Sequence, residues 1–277
     1  MPTSRTDEIL QHLRRTVLLH DGAGLTDAEL LTDCINGRDQ AAFAVLVKRH
    51  AAMVWNVCRR VLRDHHDAED AFQATFVVFV RKAASIANKE LLAGWLYGVA
   101  RQTALKARAT TAKRKGRQRQ MVAIPEPAVA KQDLWSDLQP LLDLELGLLP
   151  DTYRVVIVLC DLEGKTRQEA ARCLGCPEGT VGSRLARART MLAKRLARRG
   201  LPVSGAALAA LFSQEVASAS VPASVMSLTI KATTSVAAGE VDSGLISRTS
   251  WSDARCRWAR QMTTCASLPR ESARTTG

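Results

Sequence analysis

Between residues 26 and 119 apolar side chains recur at helical spacing almost without interruption, and no convincing two-residue alternation occurs anywhere in the 277-residue chain. Such a pattern buries helix against helix, because a sheet needs strands that this chain does not offer. Aromatic residues, which strands favour, are only 4% of the chain. The expected fold is therefore all-α.

Thr26-Asp27-Ala28-Glu29 reads as a capping box in front of Leu30, Leu31, Cys34 and Ile35, and Asn36-Gly37 closes that first helix. Phe43, Leu46, Val47, His50, Val54, Val57, Cys58 and Val61 form the stripe of a second, longer helix. His50 falls in that stripe, as a core-edge side chain rather than a ligand. Asp64-His65-His66-Asp67 breaks the pattern and opens a third helix, with Ala68, Ala71, Phe72, Thr75, Phe76, Phe79, Val80 and Ala83 inward. A fourth starts near Leu91 and runs through Trp95-Leu96 into basic sequence. Residues 26–119 thus make one helical domain behind an N-terminal extension, 1–25. Residues 120–135, with Pro125 and Pro127, read as a flexible linker. A second domain spans 136–200, where helix breaks at Pro150. Beyond 201 the chain turns to Ala, Ser, Val and Thr. A weak amphipathic helix fits 206–216, whereas Pro222 and the many Ser/Thr predict a poorly ordered remainder. Residues 251–277 have no apolar periodicity and are expected to be disordered.

Positive charge is concentrated. Residues 101–119 hold eight Lys/Arg and no acid; residues 165–199 hold ten against Glu169 and Glu178. Each block carries +8 while the whole chain carries +12, so the rest is mildly acidic. Bland surfaces mix their signs, and two separate cationic blocks point to a polyanion partner.

The second block contains a helix-turn-helix pattern. Thr166-Arg167-Gln168-Glu169 is a capping box, Gly175-Cys176-Pro177 supplies the turn, and a longer basic helix follows. At 100° per residue, Val181, Leu185, Ala188, Leu192 and Leu196 share one inward sector. Ser183, Ala186, Arg187, Thr190 and Lys194 lie opposite, flanked by Thr180 and Arg184. Hydroxyls and guanidinium groups on one face suit a major groove, where they reach phosphates and guanine edges.

Other chemistries fit less well. No run approaches the ~18 apolar residues of a membrane span, and residues 1–15 lack a signal-peptide core. Seven scattered cysteines, an odd number, suit reduced thiols and a cytoplasmic location. Asp64, His65, His66, Asp67, Glu69 and Asp70 are dense enough for a metal-dependent nuclease, but consecutive positions at a helix start radiate instead of converging on one ion. Cys173 and Cys176 have zinc spacing without a second pair. Neither a cofactor loop nor a catalytic motif is present, so a non-enzymatic protein without cofactor or metal is expected.

Five stretches, Asp67-Ala68-Glu69-Asp70-Ala71-Phe72-Gln73-Ala74-Thr75-Phe76, Gly94-Trp95-Leu96-Tyr97-Gly98-Val99-Ala100-Arg101, Leu149-Pro150-Asp151-Thr152-Tyr153-Arg154, Asp161-Leu162-Glu163-Gly164 and Gly179-Thr180-Val181-Gly182-Ser183-Arg184-Leu185-Ala186-Arg187-Ala188-Arg189, carry a resemblance to the extracytoplasmic-function (ECF) sigma factors of bacterial RNA polymerase. It implies a region 2 helical bundle and a region 4 helix-turn-helix, and partners in core RNA polymerase and promoter DNA. An anti-sigma factor is a further partner that the family admits. By the same resemblance Glu69, Asp70 and Gln73 would dock on polymerase, their carboxylates suiting a basic surface. Trp95, Arg101, Lys106 and Arg108 would serve the minus-ten element, Trp95 and Tyr97 being either stacking surfaces or core. Thr180, Ser183, Arg184, Arg187, Thr190 and Lys194 would read the minus-thirty-five element. Gly182 and Ala186 are small where some members carry larger side chains, which reduces the base contacts on offer. The alternative is a helix-turn-helix regulator that binds DNA without joining polymerase. It would need 26–119 to be a sensor or dimerisation domain, and that segment has neither the strands nor the polar core positions of a ligand pocket.

Overall fold

The computed structural model describes residues 24–37, 40–119, 134–218 and 220–238, which form ten α-helices and no strand. The N-terminal bundle contains α1 (Asp27–Gly37), α2 (Gln40–Val61), α3 (His65–Lys82) and α4 (Leu92–Arg119). Short 3₁₀ turns at Ala83–Ser85 and Lys89–Leu91 join α3 to α4. Both expected helix starts have a side-chain cap. Thr26 and Glu29 bond each other's backbone N–H groups, and Asp64 accepts from Asp67 N at 3.0 Å. The anticipated stripes form the core, in which Phe43 stacks on Phe79 and Phe72 meets Phe76 and Trp55 edge-on.

The second module contains α5 (Leu134–Gly147), α6 (Asp151–Ile157), α7 (Arg167–Leu174) and α8 (Glu178–Ala197). A π-turn at Val158–Leu162 continues α6. Thr166 and Glu169 complete a capping box on α7, and Gly175 ends it at φ +60°, a left-handed conformation that a Cβ would strain. The chain can therefore turn sharply into α8.

Two further helices follow, α9 (Gly205–Ser218) and α10 (Ala223–Ala238). The first agrees with the weak helix expected over 206–216. The second adds a regular helix after Pro222, where the many Ser and Thr predicted a poorly ordered remainder. Low-propensity Ser, Thr and Val discouraged a helix reading, but Pro222 opens this helix instead of breaking it, its carbonyl accepting from Met226 N at 3.0 Å. The anticipated linker core, the 251–277 tail and most of the N-terminal extension lie outside the described residues.

The modules pack on one another. α5 lies against α2, α4 touches the π-turn, and α7 meets the 3₁₀ turn before α4. The centre of this seam is Arg60. Its Nε and Nη2 bond both Asp143 oxygens at 2.7 and 3.1 Å, and its Nη1 bonds Glu215 of α9. Tyr97 Oη donates to Asp143 Oδ1 at 3.3 Å. Arg101 Nε donates to Asp143 O at 2.8 Å, its guanidinium lying so close over Gly147 that a Cβ there would collide with it. Burial opposes charge on Arg60, yet Asp143 and Glu215 hold its proton more firmly than usual. A buried ion with its partner removed is costly. Arg60→Ala should lower the unfolding free energy of the full chain by about 3–5 kcal/mol, and combining Arg60→Met with Asp143→Leu and Glu215→Leu should recover much of the loss. Denaturant titration of the three chains checks both statements.

Candidate nucleic-acid and polymerase interface

The face of α8 has the predicted split. Val181, Leu185, Ala188, Leu192 and Leu196 are its buried residues. Ser183, Ala186, Arg187, Thr190 and Lys194 are exposed, with Thr180 and Arg184 half-buried at the flanks. Ser183 and Thr190 donate to carbonyls one turn back, at Thr180 and Ala186, both at 3.0 Å. Their lone pairs remain on the outer surface. Arg187 reaches Tyr153 Oη at 3.4 Å, which aims its guanidinium along the helix surface.

Three cations of this block are already paired with acids of the fold. Arg189 pairs with Asp161, and both Arg195 and Arg199 pair with Glu145. Asp161 and Glu145 are buried, so these three arginines neutralise acids that the fold has taken out of water. Nothing in a count of Lys and Arg separates such residues from surface ones.

The first basic block divides similarly. Lys106 and Arg108 are exposed on α4, as are Lys113 and Arg114. Arg101 is half-buried and engaged with Asp143 and Gly147. Trp95 is only 7% exposed and packs near Phe79, and Tyr97 is 1% exposed with its hydroxyl on Asp143. Of the stacking and core alternatives, this conformation realises the core for both.

On α3, Glu69 and Gln73 are half-buried and Asp70 is exposed. The Glu69 carboxylate lies 3.3 Å from His65 Nε2 and 3.5 Å from His66 Nδ1. The Asp70 carboxyl is raised above its usual range by partial burial and then by the charges of Asp67 and Glu69. A cationic partner there would relieve this crowding. Among the described residues, no group of three or more His, Cys, Asp or Glu side chains is placed to hold a metal ion. Cys173 and Cys176 sit half-buried at the helix-turn-helix corner, where burial raises the Cys173 thiol. None of the described helices is long and apolar enough to cross a membrane.

Family comparisons agree with this layout. Residues 46–114 match the Sigma-70 region 2 model and residues 141–192 the Sigma-70, region 4 model. The chain is 35% identical over 178 residues to the ECF RNA polymerase sigma factor SigE of Mycolicibacterium smegmatis, covering 58% of this chain and 65% of that one. It is 31% identical over 177 residues to SigM of Mycobacterium tuberculosis, covering 62% and 85%. SigW of Bacillus subtilis is 30% identical over 173 residues, covering 57% and 90%. The chain belongs to the ECF sigma factors.

In this ECF sigma factor, region 2 and region 4 also meet at a buried histidine. His50 is wholly buried on α2, its Nδ1 3.0 Å from Glu163 of region 4 and its Nε2 3.4 Å from Asp27 of α1. Arg49 and Lys165 close the cluster around Asp27. The π-turn brings Glu163 here, its N–H bonding Val158 O five residues back. Burial disfavours the imidazolium, but the Glu163 charge, the Glu163 hydrogen bond and the nearby Asp27 carboxylate outweigh it and lift His50 to about 9. Burial likewise opposes charge on Asp27, whose carboxyl is nonetheless held well below its ordinary range by His50 and then Arg49. The sequence signal was Asp161-Leu162-Glu163-Gly164 after an apolar helix, which did not reveal that its acids turn inward.

Because the His50 pKa rises on folding, its contribution is fully present below about pH 6.5 and is lost as pH climbs through about 9. Asp27 acts oppositely, losing its contribution only in strong acid. The unfolding free energy of the full chain should therefore fall by at most roughly 3 kcal/mol across that alkaline window. His50→Gln should flatten the decline. Denaturant melts at a series of pH values provide the measurement.

Proposed function

We propose that this ECF sigma factor is a non-catalytic initiation subunit, acting in the cytoplasm, that directs core RNA polymerase to promoters through three separate surfaces. The α3 face of Glu69, Asp70 and Gln73 docks on polymerase, with a basic partner surface relieving the acid crowding. The cationic length of α4, carrying Lys106 and Arg108, clamps phosphates beside the minus-ten element. Arg101 joins it once released from Asp143. Trp95 acts from beneath as the anchor that holds α4 in register. Thr180, Ser183, Arg184, Arg187, Thr190 and Lys194 on α8 enter the major groove at the minus-thirty-five element. The observation that carries this reading is α8 itself, an amphipathic helix whose polar face is hydroxyl- and guanidinium-bearing, behind a left-handed turn.

A regulator that bound DNA without polymerase would leave core enzyme inactive. Run-off transcription from a fragmented genomic library decides between the two: this chain plus core should initiate at discrete sites where core alone does not. DNA affinity should also fall by orders of magnitude between ~50 and ~200 mM salt, as phosphate contacts release counterions. Arg187→Ala should reduce the preference for a selected promoter over random duplex about tenfold, whereas equal loss on both would make Arg187 a phosphate contact. Asp70→Lys should weaken co-purification with core polymerase while leaving the unfolding midpoint unchanged.

A further inference from the structure

The C-terminal extension makes contacts that promoter recognition does not use. α9 packs against α8 and the π-turn through buried Leu208 and Phe212. Its far end reaches region 2, where Glu215 bonds Arg60 through its carboxylate and Asn56 through its carbonyl, at 3.1 Å for the latter. Both partners lie near the C-terminal end of α2. From there α10 crosses onto the bundle and packs against both α3 and α2. Thr234 and Val236, at its other end, border one cleft with Phe43, Val80, Arg81 and Ala84, at the start of α2 and the end of α3. As α2 and α3 run antiparallel, α10 runs along α3 in the same direction. Gln73, Val77 and Val80 share one flank of α3 at spacings of four and three residues, and all are half-buried.

The seat of α10 is built to separate. Val225, Thr229 and Thr233 are its buried residues. Both threonine hydroxyls bond carbonyls within α10 itself, at Val225 and Thr229, both at 2.7 Å. Lifting the helix orphans neither group, so the seat is held by apolar contact without a hydrogen-bond penalty on leaving. Arg60 would keep Asp143 after losing Glu215.

We propose that α10 is a built-in cover lying along the polymerase-docking helix α3, delivered by α9 and strapped by the Arg60–Glu215 pair. It rests on the reading of α3 as the docking surface. The strap also ties α9, which packs on region 4, to region 2 beside the Arg60–Asp143 pair.

Thr229→Arg with Thr233→Arg in the full chain places two long cations where no space exists and should unseat α10. Amide exchange across 223–238 should accelerate, and affinity for core polymerase should rise about tenfold, the cost of opening having been removed. Glu215→Gln, which weakens only the strap, should shift both readouts less and in the same direction, and it carries the test if the double variant fails to fold. Unchanged or weaker affinity with α10 exchanging freely would overturn the cover, as would free exchange of α10 in the unaltered chain. Asp70→Lys, added to each form, separates the two ideas. If it weakens both forms while unseating α10 changes nothing, only the cover falls. If it weakens neither, the docking role of α3 falls first.

Discussion

One guanidinium holds this molecule closed. Arg60 leaves the second helix into a space where water cannot follow, and Asp143 from region 4 and Glu215 from the extension supply the charge it needs. Buried ions add little net stability when paired and cost much when stranded, so such a contact acts as a condition more than as glue. The three segments come together in one arrangement or leave a charge uncompensated. His50 between Asp27 and Glu163 repeats the logic a short distance away. Apolar packing runs continuously through both modules, and these ionic groups are set into the seam between them.

This division alters how the basic composition should be read. A net charge of +12 belongs to a chain in which several arginines are internal counterions. Arg189, Arg195 and Arg199 hold region 4 together through Asp161 and Glu145. The outward charge on α8 is thus narrower than its sequence indicates and is centred on Arg187 and Lys194. A narrow polar face favours a defined register in a groove over general adhesion to DNA.

The helices and their inward faces were readable because periodicity and capping are local properties. All five residues assigned to the inner sector of α8 are buried, and both capping boxes form. The seam was not readable. Asp143, Glu163 and Glu215 look like ordinary surface acids in sequence, and only tertiary packing puts them opposite the buried Arg60 and His50. Trp95 fell between two readings because an aromatic on an amphipathic helix serves a core and a stacking platform equally well. The last helix was missed because its Ser, Thr and Val carry weak intrinsic preference for helix, while burial against α2 and α3 supplies what propensity lacks.

The position of Glu215 and α10 near the end of the described chain has a consequence for biosynthesis. Residues leave the ribosome in order, at about 5–20 per second in cells. A growing polypeptide displays both promoter-reading modules for some seconds before its own restraint emerges. The newest molecules are then the least guarded, and a transcript cut short ahead of the extension would yield a product closed only by the contacts that region 2 and region 4 make directly.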